Sequence, residues 1–104
     1  MKLWEKSTLV NKKIEKFTVG NDRMLDIYLA KYDILGSMAH ILMLQSVGLL
    51  SREELDVLLR ELKNIYQLAV NDDFIIEEGV EDVHSQVELM LTRKLGDVGK
   101  KIHS

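Results

Sequence analysis

The sequence has 104 residues, of which 46% are hydrophobic and 30% are charged. This length allows one domain with a modest core, and the net charge of -3 disfavours binding to nucleic acid or to an anionic membrane. The absence of cysteine excludes disulfides and cysteine zinc sites, and the absence of proline removes the strongest helix breaker. The absence of proline and the scarcity of alternating β-branched runs predict an all-α fold. The absence of cysteine fits a cytoplasmic protein best.

Residues 1–21 mix charged and apolar side chains without a clear period, so they predict a short helical piece followed by a loop. Charged residues stand where a signal peptide would need its apolar region, and 18 apolar residues never run together. We therefore expect neither export by a signal peptide nor a membrane span.

Residues 22–47 predict the first helix, because apolar side chains recur there at steps of three and four residues. This set comprises Leu25, Tyr28, Leu29, Tyr32, Leu35, Ala39, Leu42, Met43 and Ser46. We expect its apolar members to lie in the core or at an interface, and Asp26, Lys31 and Asp33 to fall elsewhere. Gly48 can end this helix, since glycine adopts the left-handed conformation without steric cost.

The next segment predicts a second helix over residues 51–70, with Ser51 and Glu54 spaced as a capping box. Its apolar residues lie on one face, at Leu55, Leu58, Leu59, Leu62, Ile65, Tyr66 and Ala69. Because the connection from Gly48 to Ser51 is short, we expect the two helices to pack antiparallel as an αα-hairpin.

A third helix is predicted over residues 82–95, where Val83, Val87 and Leu91 resume helical spacing and Gly96 follows as a cap. The apolar run at residues 74–76 is too short to be assigned and is treated as an extended connector. Residues 97–104 read as an irregular tail rich in glycine and lysine. The chain as a whole predicts a single helical domain.

The polar residues between the predicted helices allow a purely structural interpretation and a functional one. The acidic stretch at residues 77–82 lacks the ligand spacing of a calcium loop, so a solvated loop is the better interpretation. Asp82 can cap the third helix while His84 lies on the surface, or the pair can project into a cleft. His40 lies in an apolar stretch and is interpreted as a half-buried packing residue. We expect no metal site.

Five segments in this order resemble the amino-terminal region of argininosuccinate lyases, in the aspartase/fumarase superfamily. They are KFTVGND at 16–22, DILGSMAH at 33–40, VGLL at 47–50, EDVHS at 81–85 and GDVGKKIHS at 96–104. The resemblance covers nearly the whole chain, and the last two segments are specific in combination. It departs at the start, where Trp4 is followed by Glu5 and Lys6 instead of Gly-Gly-Arg-Phe.

The resemblance implies a parent enzyme that cleaves argininosuccinate to arginine and fumarate by β-elimination, as a homotetramer without a cofactor. It places Thr18, Asp22, Asp82 and His84 at substrate-binding positions, with Thr18 where the family often has serine. The family's Gly-Arg-Ser-Arg-Asn-Asp substrate loop and its general acid and base follow the position of Ser104. We therefore expect no catalytic residue in this chain and no activity from it alone. The alternative is a free-standing helical interaction module.

Overall fold

A computed structural model describes residues 22–103, and these residues form an all-α fold. The helices are α1 (Arg23–Ser46), α2 (Arg52–Val70), α3 (Val83–Leu95) and the single turn α4 (Asp97–Lys100), followed by a 3-10 turn at Lys101–His103. Within the described residues there is no strand. The predicted fold class is confirmed, whereas the helical piece and loop expected for residues 1–21 lie outside the described part.

Helices α1 and α2 form the predicted hairpin, and both begin at side-chain caps. Asp22 Oδ1 accepts a hydrogen bond from Leu25 N at 3.0 Å, and Ser51 Oγ accepts one from Glu54 N at 3.0 Å. The Glu54 carboxylate in turn accepts from Ser51 N at 2.9 Å, which completes the capping box. Gly48 lies between the helices with a φ of 85°, in the left-handed region that favours glycine.

The core lies where α1, α2 and α3 meet. Its fully buried members are Ala30, Ile34 and Ile41 of α1, Leu58, Leu62, Ile65 and Ala69 of α2, Phe74 of the connector, and Val87 and Leu91 of α3. Phe74 is the fully buried residue of a connector that has no helix or strand of its own, and Ile76 packs partly buried against the same core. The predicted core face of α2 is confirmed at Leu55, Leu58 and Leu62.

The apolar residues of α1 that were predicted to lie in the core or at an interface do not lie in the core of this domain. The residues that α1 buries are Asp26, Ala30, Ile34, Ser37, Ile41 and Leu44, on the opposite side of the helix. Tyr28, Tyr32 and Leu35 are 56%, 59% and 49% exposed. Because α1 is apolar nearly all the way round, its periodicity does not distinguish the side that packs on α2.

The segment predicted as an irregular tail is instead structured. Gly99 is buried where α4 packs on α3, and a Cβ at this position would overlap the backbone carbonyl of Leu91. Ile102 inserts into the core, and Lys101 Nζ lies 2.7 Å from Glu54 Oε2 at the start of α2. A glycine that permits close backbone approach therefore allows the segment to close against the hairpin.

Among the described residues, α1 is long and apolar enough to cross a membrane when judged by length and mean hydropathy (1.2) alone. A helix in the core of a soluble protein passes the same test, so this property does not identify a membrane span.

Candidate functional site

A polar cluster lies where the start of α3 meets the middle of α1. His84 Nδ1 is 2.8 Å from Asp33 Oδ1 of α1, and His84 Nε2 is 2.8 Å from Glu88 Oε2 of α3. His103 Nε2 approaches the other oxygen of Glu88, Oε1, at 3.2 Å. Two imidazoles and two carboxylates from three elements therefore form one network, which we call the His84 cluster.

The start of α3 fixes the position of His84. Asp82 Oδ1 accepts a hydrogen bond from Ser85 N at 2.9 Å, so its carboxylate caps the helix. Val83 and Val87 are buried against the rest of the core, which directs the opposite side of this turn outward. Glu88 follows His84 by four residues and therefore lies beside it on the same side of α3.

The His84 cluster favours a protonated imidazole. Partial burial of the ring disfavours its charged form, but the hydrogen bond to Asp33 and the negative charges of Asp33 and Glu88 outweigh that cost and raise the pKa of His84. The second oxygen of Asp33, Oδ2, is buried without a hydrogen-bond partner.

This arrangement can present an oriented, positively charged ring at the surface. The His84 side chain is 52% exposed, whereas the side chains of Asp33 and Glu88 are 23% and 20% exposed. Both ring nitrogens are occupied, so a ligand carboxylate must displace Glu88 or Asp33 to accept a hydrogen bond from His84. Binding of an anion to His84 would require that exchange, with the remaining carboxylate holding the ring in place.

The structure brings together only some of the residues predicted to bind substrate. Asp82 and His84 lie at the same helix start, and the capping role considered for Asp82 is confirmed. Asp22 caps α1, about 16 Å along the helix axis from Asp33, since each helical residue rises 1.5 Å. Thr18 lies outside the described residues.

Sequence reasoning missed three members of the His84 cluster. Glu88 could have been identified, because it stands four residues after His84 and two residues so spaced are neighbours on a helix. From the sequence, Asp33 is expected off the apolar face of α1 and His103 in an irregular tail, and neither is predicted to have a role at the site, although both lie in segments that carry the family resemblance. Their contacts with α3 depend on how the helices pack, which no local pattern specifies. His40 is half-buried, as predicted.

The acidic stretch at residues 77–82 is anchored at its first residue. Arg93 donates to both carboxylate oxygens of Glu77 at 2.7 and 2.9 Å, and the buried Gln86 donates to Glu77 Oε2 and accepts from Glu77 N. The hydrogen bonds from Arg93 and Gln86 lower the pKa of Glu77. Glu77 therefore departs from the predicted solvated loop, whereas Glu78, Glu81 and Asp82 are exposed. Within residues 22–103, no group of His, Asp and Glu side chains is arranged to hold a metal ion.

The fold and the His84 cluster together define a small all-α domain that holds a carboxylate-bridged histidine at a helix start. No family model and no solved structure matches the chain. Curated relatives named argininosuccinate lyase do match it: 74% identity to that of Bacteroides thetaiotaomicron and 70% to that of Parabacteroides distasonis, each over 103 residues and 99% of this chain.

A more distant relative, the argininosuccinate lyase of Thermotoga neapolitana, is 44% identical over 99% of this chain. The chain is similar to a segment of argininosuccinate lyases, and the resemblance identified from its sequence is confirmed. It spans 23% of the length of the two closer relatives cited and 26% of the third.

Proposed function

We propose that this chain forms the amino-terminal domain of an argininosuccinate lyase, which cleaves argininosuccinate to arginine and fumarate by β-elimination in arginine biosynthesis. The observation that carries the proposal is the identity of 70–74% over 99% of the chain to proteins of that name. Because the chain spans 23% of those proteins, the domain is expected to act as part of a longer enzyme. The family resemblance supports a cytoplasmic homotetramer as the form of that enzyme.

Within this proposal, Thr18, Asp22, Asp82 and His84 contribute to substrate binding, and no organic cofactor or metal takes part. The role of His84 is supported by its exposed ring and by the two carboxylates that favour its positive charge. Argininosuccinate carries several carboxylates, and a charged imidazole that donates to one of them supplies a directional contact. Asp82 supports this contact by fixing the helix start that bears His84.

Replacing the matched stretch of the Bacteroides thetaiotaomicron lyase with this chain gives a chimera that tests the proposal. We expect the purified chimera to release fumarate from argininosuccinate, followed by ultraviolet absorbance, and the 104-residue chain alone to release none. A folded chimera without activity would contradict the assignment. Turnover by the chain alone would contradict the claim that the catalytic groups lie elsewhere.

Substitution His84→Asn in the chimera tests the proposed contact with substrate. Loss of a charge-assisted hydrogen bond predicts a fall in kcat/KM of about 10- to 100-fold. Asn64→Ala, at an exposed position of α2, is the control and should leave kcat/KM unchanged. Equal activity of the two variants would remove His84 from the binding site.

One observation favours the second candidate function, a free-standing helical interaction module. The side of α1 opposite the core exposes several large apolar residues, as an interaction surface would. The chimera separates the two functions, because a module unrelated to the lyase would not restore fumarate release.

A further inference from the structure

The side of α1 that points away from the core carries a continuous apolar surface. We call it the outward face and define it by Tyr28, Tyr32, Leu35, Ala39, Leu42 and Met43, all of which are exposed. Leu42 and Met43 are 50% and 46% exposed, so this surface extends to the last turns of the helix. The rings of Tyr28 and Tyr32 pack edge to face with centroids 4.8 Å apart, which gives the surface a preformed aromatic end.

The spacing of the outward face matches that of helices that pack along their length. From Tyr28 to Leu42 its residues follow one another at steps of four, three, four and three, the pattern of a helix–helix seam. Over the same stretch α1 has two residues with full charges, Lys31 and Asp33, and Asp33 contacts His84. A partner for this surface is therefore expected to be apolar as well.

Gly36 supplies an independent observation. It lies in the middle of the 24-residue helix α1, although glycine disfavours helix interiors through its backbone freedom. A Cβ at Gly36 would meet no atom within 4 Å, so packing inside this domain does not require glycine there. A glycine on an exposed helix side permits close approach of a second backbone, and no backbone among the described residues makes that approach at Gly36.

We propose that the outward face of α1, with Gly36 at its edge, docks against an apolar helix of the remaining three-quarters of the lyase. This inference rests on the proposed function. A helix with apolar residues on two opposite sides, as α1 has, is typical of the core of a larger protein, and the curated relatives are about four times as long as the matched stretch. A segment in the same polypeptide also has an effective concentration near the millimolar range, far above that of a second free copy.

Side-chain oxidation by hydroxyl radicals measures this docking in the chimera and in the isolated chain. We expect Tyr28, Tyr32 and Met43 to be oxidised readily in the isolated chain and to lose most of that reactivity in the chimera. Tyr66 and Met90, half-buried in this domain, calibrate the intrinsic reactivity of the same residue types. Oxidation of the outward face at equal rates in both proteins overturns the proposal.

Substitutions at Gly36 test the close approach itself. Gly36→Ala should raise the Tm of the isolated chain by about 4–8 °C, because alanine favours the helix and the position is open. Gly36→Leu should leave the isolated chain folded, yet lower the Tm of the chimera and restore oxidation of Tyr32. Lys63→Leu, at an exposed position of α2, is the matched control. It should neither lower the Tm of the chimera nor restore oxidation of Tyr32.

The remaining outcomes separate this inference from the function on which it rests. An inactive chimera with a protected outward face rejects the proposed function and supports docking. An active chimera with an oxidised outward face supports the proposed function and rejects docking. If the isolated chain sediments as a dimer that Gly36→Leu dissociates, the partner is a second copy and the proposal is overturned. A Gly36→Leu chimera as stable and protected as the parent also overturns it.

Discussion

Helices α1 and α2 are the two arms of one hairpin, but they divide their apolar residues differently. In α2 the buried residues form one stripe, and the outer side carries charged or polar groups such as Glu53, Asp56, Arg60 and Lys63. In α1 both sides are apolar, and the buried side even includes Asp26 and Ser37. The difference shows that an apolar stripe identifies a core face only when the opposite side of the helix is polar.

Truncation of a leucine on each helix should produce the largest contrast between them. Leu62→Ala removes a fully buried side chain of α2 and is expected to lower the free energy of unfolding by about 2–5 kcal/mol. Leu35→Ala, on the outward face of α1, should change it by less than about 0.5 kcal/mol in the isolated chain. Urea denaturation of both variants measures the contrast, and equal losses would contradict the assignment of the two faces.

Removal of each helix cap should instead affect the two helices equally. Ser51→Ala and Asp22→Ala each delete a side-chain acceptor at a helix start, and each is expected to cost about 1 kcal/mol. Urea denaturation of the two single variants and the double variant tests this. A much smaller cost at Asp22 would indicate that α1 is held by packing alone and that its start is not specified by the cap.

The contact of α1 with α3 should make stability depend on pH through His84. The folded-state pKa of His84 is raised, so its stabilising contribution is present in full below the unfolded pKa of about 6.5 and is lost as pH rises through the folded pKa. Asp33→Asn should lower the pKa of His84, as followed by NMR titration of its ring. A titration that this substitution leaves unchanged would contradict the Asp33–His84 contact.

The contact of α3 with the connector after α2 should have the opposite pH dependence. The pKa of Glu77 is lowered, so its contribution is present above the unfolded pKa of about 4.3 and is lost as pH falls through the folded pKa. Arg93→Ala should raise the pKa of Glu77 towards its ordinary value, with a small effect on stability because the pair is exposed. Carboxyl NMR titration checks the shift, and Lys94→Ala is the control.

Local patterns in the sequence were sufficient to predict the all-α class, the hairpin and the helix ends. Asp22, Ser51 and Asp82 cap helices because their side chains accept hydrogen bonds from backbone groups three residues away, and Gly48 and Gly96 end helices through a positive φ. These interactions are local, so they depend on neighbouring residues alone. In α2 the charged and polar residues occupy one side, so the sequence also predicts that the opposite, apolar side is buried.

Only the tertiary structure decided which side of α1 faces the core, which carboxylate meets His84, and how residues 97–103 fold. Asp33 and His84 are 51 positions apart, and their contact exists because α3 packs across the middle of α1. Gly99 allows the backbone of α4 to approach the backbone of α3 at Leu91, and the spacing of apolar residues does not predict this contact. These features join segments distant in sequence, so they depend on the relative placement of helices, which the order of residues along one helix does not specify.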